Sequence, residues 1–264
     1  MSGLPLANGY LDRYVIEETR ERPNGYGKTF KYIKRKGKNQ EELQQLLRQQ
    51  CMHRCLKKDV LPQLPEKTVQ PIYLPVKATY AESLDDIEAQ VRGVIDQGEE
   101  RKASEHLSTM RREQAILKTP FALDHILEIL DGGDQKVVVF AHHHEVVKLL
   151  VDGLSKYSPL VVTGETPPKV RGTYVAAFQE GESRVFIGSI YAAGEGITLT
   201  AASLAIFVEL DWDATKIDQA EARLHRIGAK NPVIVRHLLM QDSIDHMILK
   251  TIAAKSNEAL LTVG

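Results

Sequence analysis

The sequence lacks the features that mark exported, membrane-spanning and disulfide-rich proteins. Its only cysteines, Cys51 and Cys55, are too few for a disulfide framework, and a helix would hold them side by side. No apolar run approaches the roughly 18 residues needed to cross a bilayer, and the polar N-terminal region does not resemble a secretion signal. We therefore expect a protein without a membrane partner that is not secreted and works in the cytoplasm, associated with a nucleoid, or in the nucleus.

The sequence also has little excess charge of either sign, because 34 Lys and Arg residues offset 35 Asp and Glu residues for a net charge of -1. The balance is uneven along the chain. From Arg20 to Lys58 there are twelve basic and three acidic residues, with aromatic residues interleaved. This pattern is typical of binding to a phosphate backbone, although a solvated basic loop has the same composition. We expect nucleic-acid contacts from Lys34, Arg35, Lys36 and Lys38.

The composition, 43% hydrophobic and 26% charged over 264 residues, is that of a globular protein with one large domain or one domain and an appendage. The first forty residues lack a sustained apolar period, which predicts irregular or weakly packed structure there. A helix is predicted from about residue 41 until Pro62 stops it, and a short β-rich segment, VQPIYLPV, follows. Residues 78–131 contain three helical patterns, which we expect to be broken near Gly98 and Pro120.

From Lys136 onward, short apolar runs alternate with amphipathic stretches. The predicted strands are KVVVFA, PLVVT, SRVFIGS, LAIFVEL and PVIVRHLL. The predicted helices are HEVVKLLVDGLSKY, PPKVRGTYVAAFQEG, TKIDQAEARLHRIG and SIDHMILKTIAAK. Near-continuous apolar strands between helices are typical of a parallel sheet covered on both faces. We therefore predict an α/β layered domain from about residue 130 to 264, preceded by a mostly helical lead-in segment.

The loop GSIYAAGEGITLTAAS has a composition that suits a ligand site. Ligands of open parallel sheets bind beyond the carboxyl ends of the strands, and this loop follows a predicted strand. Gly194 and Gly196 flank Glu195, which allows backbone amides to approach a phosphate or ribose with a carboxylate close by. A turn that needs glycine only for its backbone geometry is the alternative.

The stretch DQAEARLHRIG, residues 218–228, predicts a helix that ends at Gly228. Gln219, Arg223 and Arg226 then fall at i, i+4 and i+7, so they share one helix face. Two arginines and an amide on one face form a surface suited to anion recognition. The alternative is a pair of surface arginines in salt bridges.

Two groups of His and Cys residues do not predict a metal site. The three consecutive histidines at residues 142–144 point in different directions, whereas a zinc site needs convergent ligands. Histidines that face a nucleic-acid groove or cap the next helix are a better interpretation. Cys51, His53 and Cys55 supply at most three ligands, and on a helix His53 points away from the cysteines. We expect the chain to bind no metal by itself.

Four segments, in order, resemble the C-terminal motifs of Swi/Snf-type DNA translocases within the superfamily two helicases. They are FAHHHEVVKLLVDGL, VTGE with PPKVRGTYVAAFQEG, SRVFIGSIYAAGEGITLTAAS, and DWDATKIDQAEARLHRIGA. The upstream stretch NQEELQQLLRQQCMHRCLKKDVLPQLPEKTVQPIYLPV is similar to the helices and linker that join the two motor lobes of that family. The residues in these segments are most similar to the sequences of the annealing-helicase, fork-remodelling branch of the family.

The resemblance implies a RecA-like α/β fold and a division of the chain at residue 70. Residues 1–70 would be a basic helical lead-in and linker. Residues 71–264 would be the helicase C-terminal lobe, with a helical insertion at about 78–131.

The resemblance also implies roles for individual residues. Arg223 and Arg226 would be arginine fingers that reach ATP held by the other lobe, with Gln219 nearby. The loop at the nucleotide cleft, which couples hydrolysis to DNA movement, would contain Gly194, Glu195 and Gly196. The DNA track would be lined by His142, Thr163, Gly164, Arg171, Ser189 and Trp212. The expected partners are double-stranded or branched DNA and an N-terminal ATP-binding lobe, in cis or in trans.

The chain departs from the family pattern near the cleft. Asp213 and Ala214 stand where the family usually has Asn-Pro after the tryptophan, and Ala229 stands where it has a glutamine. Cys55 replaces a second arginine that is common in the linker helix. The last change puts an interlobe or phosphate contact in doubt, but none of the three removes the two fingers.

The sequence contains neither a Gly-rich loop that ends in Gly-Lys-Ser/Thr nor an acidic pair after a strand, which such a motor needs to hold ATP and Mg²⁺. GYGKTF at residues 25–30 lacks the spaced first glycine and does not follow an apolar strand. We therefore expect ATP and Mg²⁺ to bind only together with the N-terminal lobe, and the chain alone not to hydrolyse ATP. A catalytically inactive DNA-binding module is one alternative, and a nucleotide-sugar transferase half-domain is another.

Overall fold

The computed structural model describes residues 10–23, 29–50, 57–75, 89, 100–193, 196–241 and 243–263. The strands are β1 (Val15–Pro23), β2 (Thr29–Gly37), β3 (Lys67–Leu74), β4 (Val137–Ala141), β5 (Leu160–Val162), β6 (Val185–Ser189), β7 (Leu204–Phe207) and β8 (Val233–Met240). The helices are α1 (Tyr10–Tyr14), α2 (Gln40–Gln50), α3 (Lys57–Val60), α4 (Glu100–Asp131), α5 (His144–Gly153), α6 (Pro168–Glu180), α7 (Ile190–Ala193), α8 (Ala214–Glu221) and α9 (Ile244–Val263).

Six of the strands form a parallel sheet in the order β3-β8-β7-β4-β6-β5. Their side chains alternate between two apolar cores, one on each face of the sheet. In β4, for example, Val138 and Phe140 join one core, and Val137 and Val139 join the other. Buried residues of α6, α8 and α9 complete the first core, and those of α4 and α5 complete the second. The predicted parallel sheet with helices on both faces is therefore confirmed, as are its strands β4 to β8.

The first forty residues are more regular than the sequence pattern predicts. Strands β1 and β2 form an antiparallel hairpin, separate from the main sheet. Opposite charges stand across from each other in its register, Glu17 opposite Arg35 and Glu18 opposite Lys34. Cross-strand pairs of this kind stabilise a sheet without any apolar alternation. The prediction of irregular structure is therefore wrong for the described part, and weak packing stays a prediction. The predicted lead-in helix is present as α2 and α3, and residues 51–56 between them lie outside the described residues.

Helix α4 runs without interruption through Pro120, so the predicted break there is wrong. Proline removes one backbone N–H from a helix and normally breaks or bends it. Here Ala115 before it and Ala122 and Ile126 after it are buried in the same core, so packing holds both halves in line. The predicted break near Gly98 lies outside the described residues, as does nearly all of the segment from 78 to 99.

Candidate functional site

The residues predicted to line a DNA track follow the ends of adjacent strands. His142 comes directly after β4, Thr163 directly after β5, and Ser189 ends β6, while Trp212 lies in the loop after β7. These four strands are neighbours in the order β7-β4-β6-β5, and parallel strands end at the same edge. The structure therefore brings the predicted residues into one row, which we call the carboxyl edge.

The turn after β5 is closed by its own hydrogen bonds. The Thr163 N–H donates to Thr166 Oγ1 at 3.0 Å, and the Thr166 N–H donates to the Thr163 carbonyl at 3.1 Å. Arg171 Nη2 on α6 lies 3.5 Å and 3.4 Å from the carbonyl oxygens of Thr163 and Thr166. Gly164 is exposed, and a side chain placed there would meet only open space. The predicted track residues Thr163, Gly164 and Arg171 thus form one local unit.

Ser189 and Trp212 also have structural roles at this edge. Ser189 Oγ accepts a hydrogen bond from the Ala192 N–H at 3.2 Å, which helps to begin α7. Trp212 is partly buried against the core that α6, α8 and α9 share with the sheet. Both side chains therefore stabilise the carboxyl edge through contacts within the chain, and contact with DNA would be an additional role.

Glu209, which sequence analysis did not single out, holds the start of α5. Its side chain is 2% exposed, and Oε2 accepts hydrogen bonds from the backbone N–H groups of His142 and His143 at 2.7 and 2.9 Å. Its Oε1 lies 2.5 Å from His143 Nδ1. Burial opposes ionisation of Glu209, but the His143 ring and the two N–H groups outweigh it and lower the pKa of the carboxyl. The carboxylate is therefore charged and fully engaged.

Asp211 gathers three further side chains around a second buried carboxylate. Its Oδ2 lies 3.5 Å from Arg111 Nη2 and 3.6 Å from His142 Nδ1, and the Tyr191 hydroxyl donates to it at 3.2 Å. Arg111, on α4, is 8% exposed and also donates to the Leu210 carbonyl at 2.5 Å. These contacts fix the loop after β7 against α4, and they link it to the loops after β4 and β6.

His142 is neutral at pH 7 in this setting. Burial lowers the pKa of its imidazole to about 4, and the charges of Arg111 and His143 act in the same direction. About a quarter of the side chain stays exposed, at 26%, and its ring lies 5.5 Å from the Tyr191 ring. His142 can therefore offer a partner a hydrogen bond or a stacking face, but no positive charge. Among the described residues, no group of three or more His, Cys, Asp or Glu side chains is arranged to hold a metal ion.

The glycine loop after α7 is described from Gly196 onward, and Gly194 and Glu195 lie outside the described residues. Gly196 has φ +68°, with open space around it. This left-handed conformation favours glycine for backbone reasons, which supports the alternative that the loop needs glycine for its geometry. Further along, the Leu199 N–H donates to the Arg223 carbonyl at 2.9 Å. The loop therefore ends against the segment that contains the predicted arginine fingers.

The predicted helix over residues 215–228 ends early, at Glu221, so the prediction that Gln219, Arg223 and Arg226 share one helix face is wrong. Residues 222–228 form successive turns, which we call the arginine turn. In a continued helix the Arg223 carbonyl would accept from residue 227, but here it accepts from Leu199. Gln219 stays on α8, half-buried, and Gly228 leaves the turn with φ +101°.

Cationic groups collect around the arginine turn. Arg226 is exposed, and its Nη1 lies 3.4 Å from Thr198 Oγ1. Lys57 Nζ, on α3, donates to the His225 carbonyl at 3.1 Å. Although Lys57 is exposed, partial desolvation lowers the pKa of its amine, and the nearby charges of Lys67, Arg226 and Arg223 lower it further. A region that already disfavours one more positive charge suits an anion such as a phosphate.

The arginine turn lies at the sheet edge opposite to the carboxyl edge. His225 Nε2 donates to the Pro65 carbonyl at 2.8 Å, just before β3 begins at Lys67. Leu199, which binds the Arg223 carbonyl, lies shortly before β7 begins. The structure thus separates the predicted DNA-track residues from the predicted fingers, and the loop between β6 and β7 runs from one set to the other.

The basic quartet predicted to bind nucleic acid lies on the hairpin. Strand β2 contains Lys34, Arg35 and Lys36, whose side chains lie outside the described part of the structure. The Lys38 N–H donates to the Tyr14 carbonyl at 2.8 Å, which closes the open end of the hairpin. Contact of these residues with DNA stays a prediction, and so does the division of the chain at residue 70.

Sequence analysis missed the residues that organise both edges. On the carboxyl edge these are Arg111, Tyr191, Glu209 and Asp211. At the arginine turn they are Lys57, Lys67, Glu221 and His225. One pattern could have indicated the first set: two acidic residues sit within the apolar run LAIFVELDW, and buried carboxylates need partners.

Within the described residues, no helix is long and apolar enough to cross a membrane.

Residues 121–228 match the family described as the helicase conserved C-terminal domain. The chain is 34% identical over 254 residues to a Drosophila melanogaster protein named "SWI/SNF-related matrix-associated actin-dependent regulator of chromatin subfamily A-like protein 1", with 94% of this chain and 33% of the relative covered. It is also 34% identical over 247 residues to the Mus musculus "DNA annealing helicase and endonuclease ZRANB3", with 90% of this chain and 22% of the relative covered. The chain therefore spans a third or less of these relatives.

Among solved structures, the C-terminal part of the Fun30 ATPase domain superposes on the chain with a TM-score of 0.58. The superposition covers 75% of this chain and 97% of the other, at 18% sequence identity. At that identity the likeness concerns the fold alone, and it confirms the predicted RecA-like arrangement of the sheet and its helices.

Proposed function

Because this chain belongs to the Swi/Snf-type helicases through its helicase conserved C-terminal domain, we propose that it is the second motor lobe of a DNA-dependent ATPase. It would act with an N-terminal ATP-binding lobe, in cis or in trans. The names of the two relatives, a regulator of chromatin and a DNA annealing helicase, support DNA as the partner and a location on chromosomal DNA. They also favour this proposal over a nucleotide-sugar transferase.

The observation that carries the proposal is the course of the loop between β6 and β7. It begins at Ser189 on the carboxyl edge, and its Leu199 N–H is bonded to the Arg223 carbonyl of the arginine turn. One continuous segment thus joins the two regions that a motor lobe must couple, the DNA track and the nucleotide cleft. A rearrangement at either end has a covalent and hydrogen-bonded route to the other.

The arginine turn suits ATP held by a partner lobe. Arg226 is exposed, and Arg223 and Lys57 add positive charge near it, so the side chains present fit a triphosphate. ATP would supply the phosphoryl group whose transfer to water drives the cycle, and its Mg²⁺ would be held by the other lobe. The part of this chain is to place guanidinium groups where negative charge develops, a contribution worth about 10³ to 10⁵ in rate.

The carboxyl edge suits duplex DNA through hydrogen bonds rather than net charge. The turn of Thr163 and Gly164 presents backbone near open space, Arg171 stands beside it, and His142 is neutral. These groups would contact phosphate oxygens and hold the register of the duplex without reading its sequence. The basic hairpin would add the electrostatic part of binding through Lys34, Arg35, Lys36 and Lys38.

The test is to add the missing lobe. The chain is mixed with, or joined to, the lobe that contains the Gly-Lys-Ser/Thr loop and the acidic pair, and phosphate release is measured with and without duplex DNA. We expect no turnover from either part alone and DNA-stimulated turnover from the two together. DNA binding without any turnover in the combined protein would instead favour an inactive DNA-binding module. Hydrolysis by the isolated chain that depends on Arg226 would contradict the proposal directly.

A further inference from the structure

Residues 57–67, which we name the strap, contact the arginine turn at its centre. Lys57 Nζ donates to the His225 carbonyl at 3.1 Å. The His225 ring returns a hydrogen bond to the strap, since its Nε2 donates to the Pro65 carbonyl at 2.8 Å. His225 lies between the two predicted fingers, so both its backbone and its side chain are tied to the strap at the position that sets their spacing.

The far end of the strap is anchored in the sheet. The Val233 N–H of β8 donates to the Glu66 carbonyl at 2.8 Å, and Lys67 forms an ion pair with Glu221, the last residue of α8. Glu221 is 4% exposed, and His237 lies 3.4 Å from its other oxygen. Burial opposes the ionisation of Glu221, but His237 and Lys67 outweigh it and lower the pKa of the carboxyl. This end of the strap is therefore fixed.

Near Lys57, the strap is joined to the arginine turn by a hydrogen bond across a cavity. A cavity of about 360 Å³ lies between the strap and His225, with Lys57, Leu61 and Pro65 among the residues that line it. Lys57 itself is exposed. An element that is fixed at one end and hydrogen-bonded across a cavity at the other can shift without a clash, and the shift is passed on through its bonds.

We propose that the strap sets the position of the arginine turn, and that Lys57 and His225 are positioning residues for Arg223 and Arg226. A displacement of the strap at Lys57 then reaches the arginine turn through the bond to the His225 carbonyl, while the Pro65 carbonyl holds the His225 ring at the fixed end. The expected effect of the strap on ATP hydrolysis rests on the proposed function, because only a motor would use Arg223 and Arg226 as fingers. The mechanical link itself can be measured in the chain alone.

The first test is amide hydrogen exchange of the isolated chain. Lys57→Met and His225→Phe each remove one bond, and we expect the amides of residues 222–229 to exchange about fivefold faster. Lys57→Arg and His225→Gln keep a donor and should exchange like the unaltered chain. Lys156→Met is the matched control, since it removes the 3.0 Å bond of another surface lysine to Asp131, next to β5 on the other side of the sheet.

The second test uses the combined two-lobe protein. We expect Lys57→Met and His225→Phe to lower kcat about fivefold with an unchanged KM for DNA, and the donor-keeping variants to restore it. If Lys57→Met and His225→Phe leave the exchange rates of the 222–229 amides unchanged, the proposal for the strap is wrong. It is also wrong if the β6 amides accelerate equally, because that would indicate a general loosening of the fold. If the unaltered combined protein shows no hydrolysis at all, the proposed function fails, and the exchange result still decides on the strap.

Discussion

The two edges of the sheet hold their functional groups in different ways. On the carboxyl edge, two carboxylates, Glu209 and Asp211, are 2% and 4% exposed and tie three loops and α4 into one network. At the arginine turn the backbone is irregular, Arg226 is exposed, and Gly228 needs a left-handed conformation. The charges of the first region are held inside the fold by partners on several elements. The second region presents Arg226 to solvent.

This difference shows how rigidly each region holds its side chains, and which contacts are responsible. Groups held by buried, hydrogen-bonded carboxylates are preorganised, and disturbing them costs stability before it costs activity. Groups in a turn that is bonded to a loop and a strap can adjust their position at little cost to the fold. This division would suit the motor lobe proposed above, which would track a stiff duplex at one edge and meet a changing nucleotide at the other.

The largest effect that separates the two regions should come from Arg226→Ala. Because the side chain is exposed, we expect the free energy of unfolding to change by no more than about 0.5 kcal/mol. DNA-stimulated hydrolysis by the combined two-lobe protein should fall by about 10³ or more. Phosphate release and urea unfolding measure the two quantities, with Lys156→Ala as the matched surface control. Retention of hydrolysis within tenfold would mean that Arg226 is not a finger.

Glu209→Gln should have the opposite profile. Removing the charge leaves two backbone N–H groups and the His143 ring without their full acceptor, in a buried position. We expect the free energy of unfolding to fall by about 3 kcal/mol. Glu145→Gln is the control, because that carboxylate is 50% exposed in a surface ion pair with Arg112, and it should cost under about 1 kcal/mol. Equal losses in urea unfolding would refute the contrast.

The pH dependence of stability should report on His142. Its folded pKa of about 4 lies below the ordinary value near 6.5, so the unfolded chain binds more protons between these two pH values. Stability should therefore fall as the pH drops from about 6.5 toward 4, with about 2 kcal/mol lost near pH 5 and no further loss from this group below pH 4. His142→Gln removes the titrating imidazole. Urea unfolding of this variant at about pH 6.5 and about pH 5 should therefore show a smaller loss of unfolding free energy than the unaltered chain shows. An identical loss in the variant would show that the burial of His142 is not the cause.

The strands and helices of the main sheet could be predicted because their residues are buried in continuous runs. The strands β4 to β7 lie within the predicted segments, and β8 extends one residue beyond its segment, to Met240. The parallel order then places His142, Thr163 and Ser189 at one edge. The hairpin could not be predicted in this way, since its strands pair charged residues rather than alternate apolar and polar ones. The predicted break near Pro120 was wrong because the packing of α4 outweighs the local tendency of proline to end a helix.

The sites were less predictable than the fold because distant contacts shape them. Beyond the end of α8, the Arg223 carbonyl accepts from the Leu199 N–H and not from residue 227, and no residue type near 221 predicts this contact. The partners that Glu209 and Asp211 need in order to be buried include His143 and Arg111, both more than sixty residues away in the chain. Residue types and spacing therefore indicated the arginines, but not the geometry that holds them.

The smallest effect should appear in the hairpin, where the register sharpens the prediction for DNA binding. Each lost phosphate contact flattens the dependence of log affinity on log salt by about 0.9. Lys34 and Arg35 stand opposite Glu18 and Glu17, whereas Lys36 stands opposite Ile16. We therefore expect the pair variant Lys36→Ala and Lys38→Ala to flatten the slope by about 1.8, and to weaken binding about tenfold near 0.2 M salt.

The matched pair variant, Lys34→Ala and Arg35→Ala, should flatten the slope less, because opposed carboxylates already offset part of its charge. Fluorescence anisotropy with a labelled duplex over a salt series measures both slopes. A larger change for Lys34 and Arg35 would show that cross-strand register does not determine which cations reach the phosphates. No change for either pair would identify the hairpin as a solvated basic element, and DNA binding would then rest on the carboxyl edge alone.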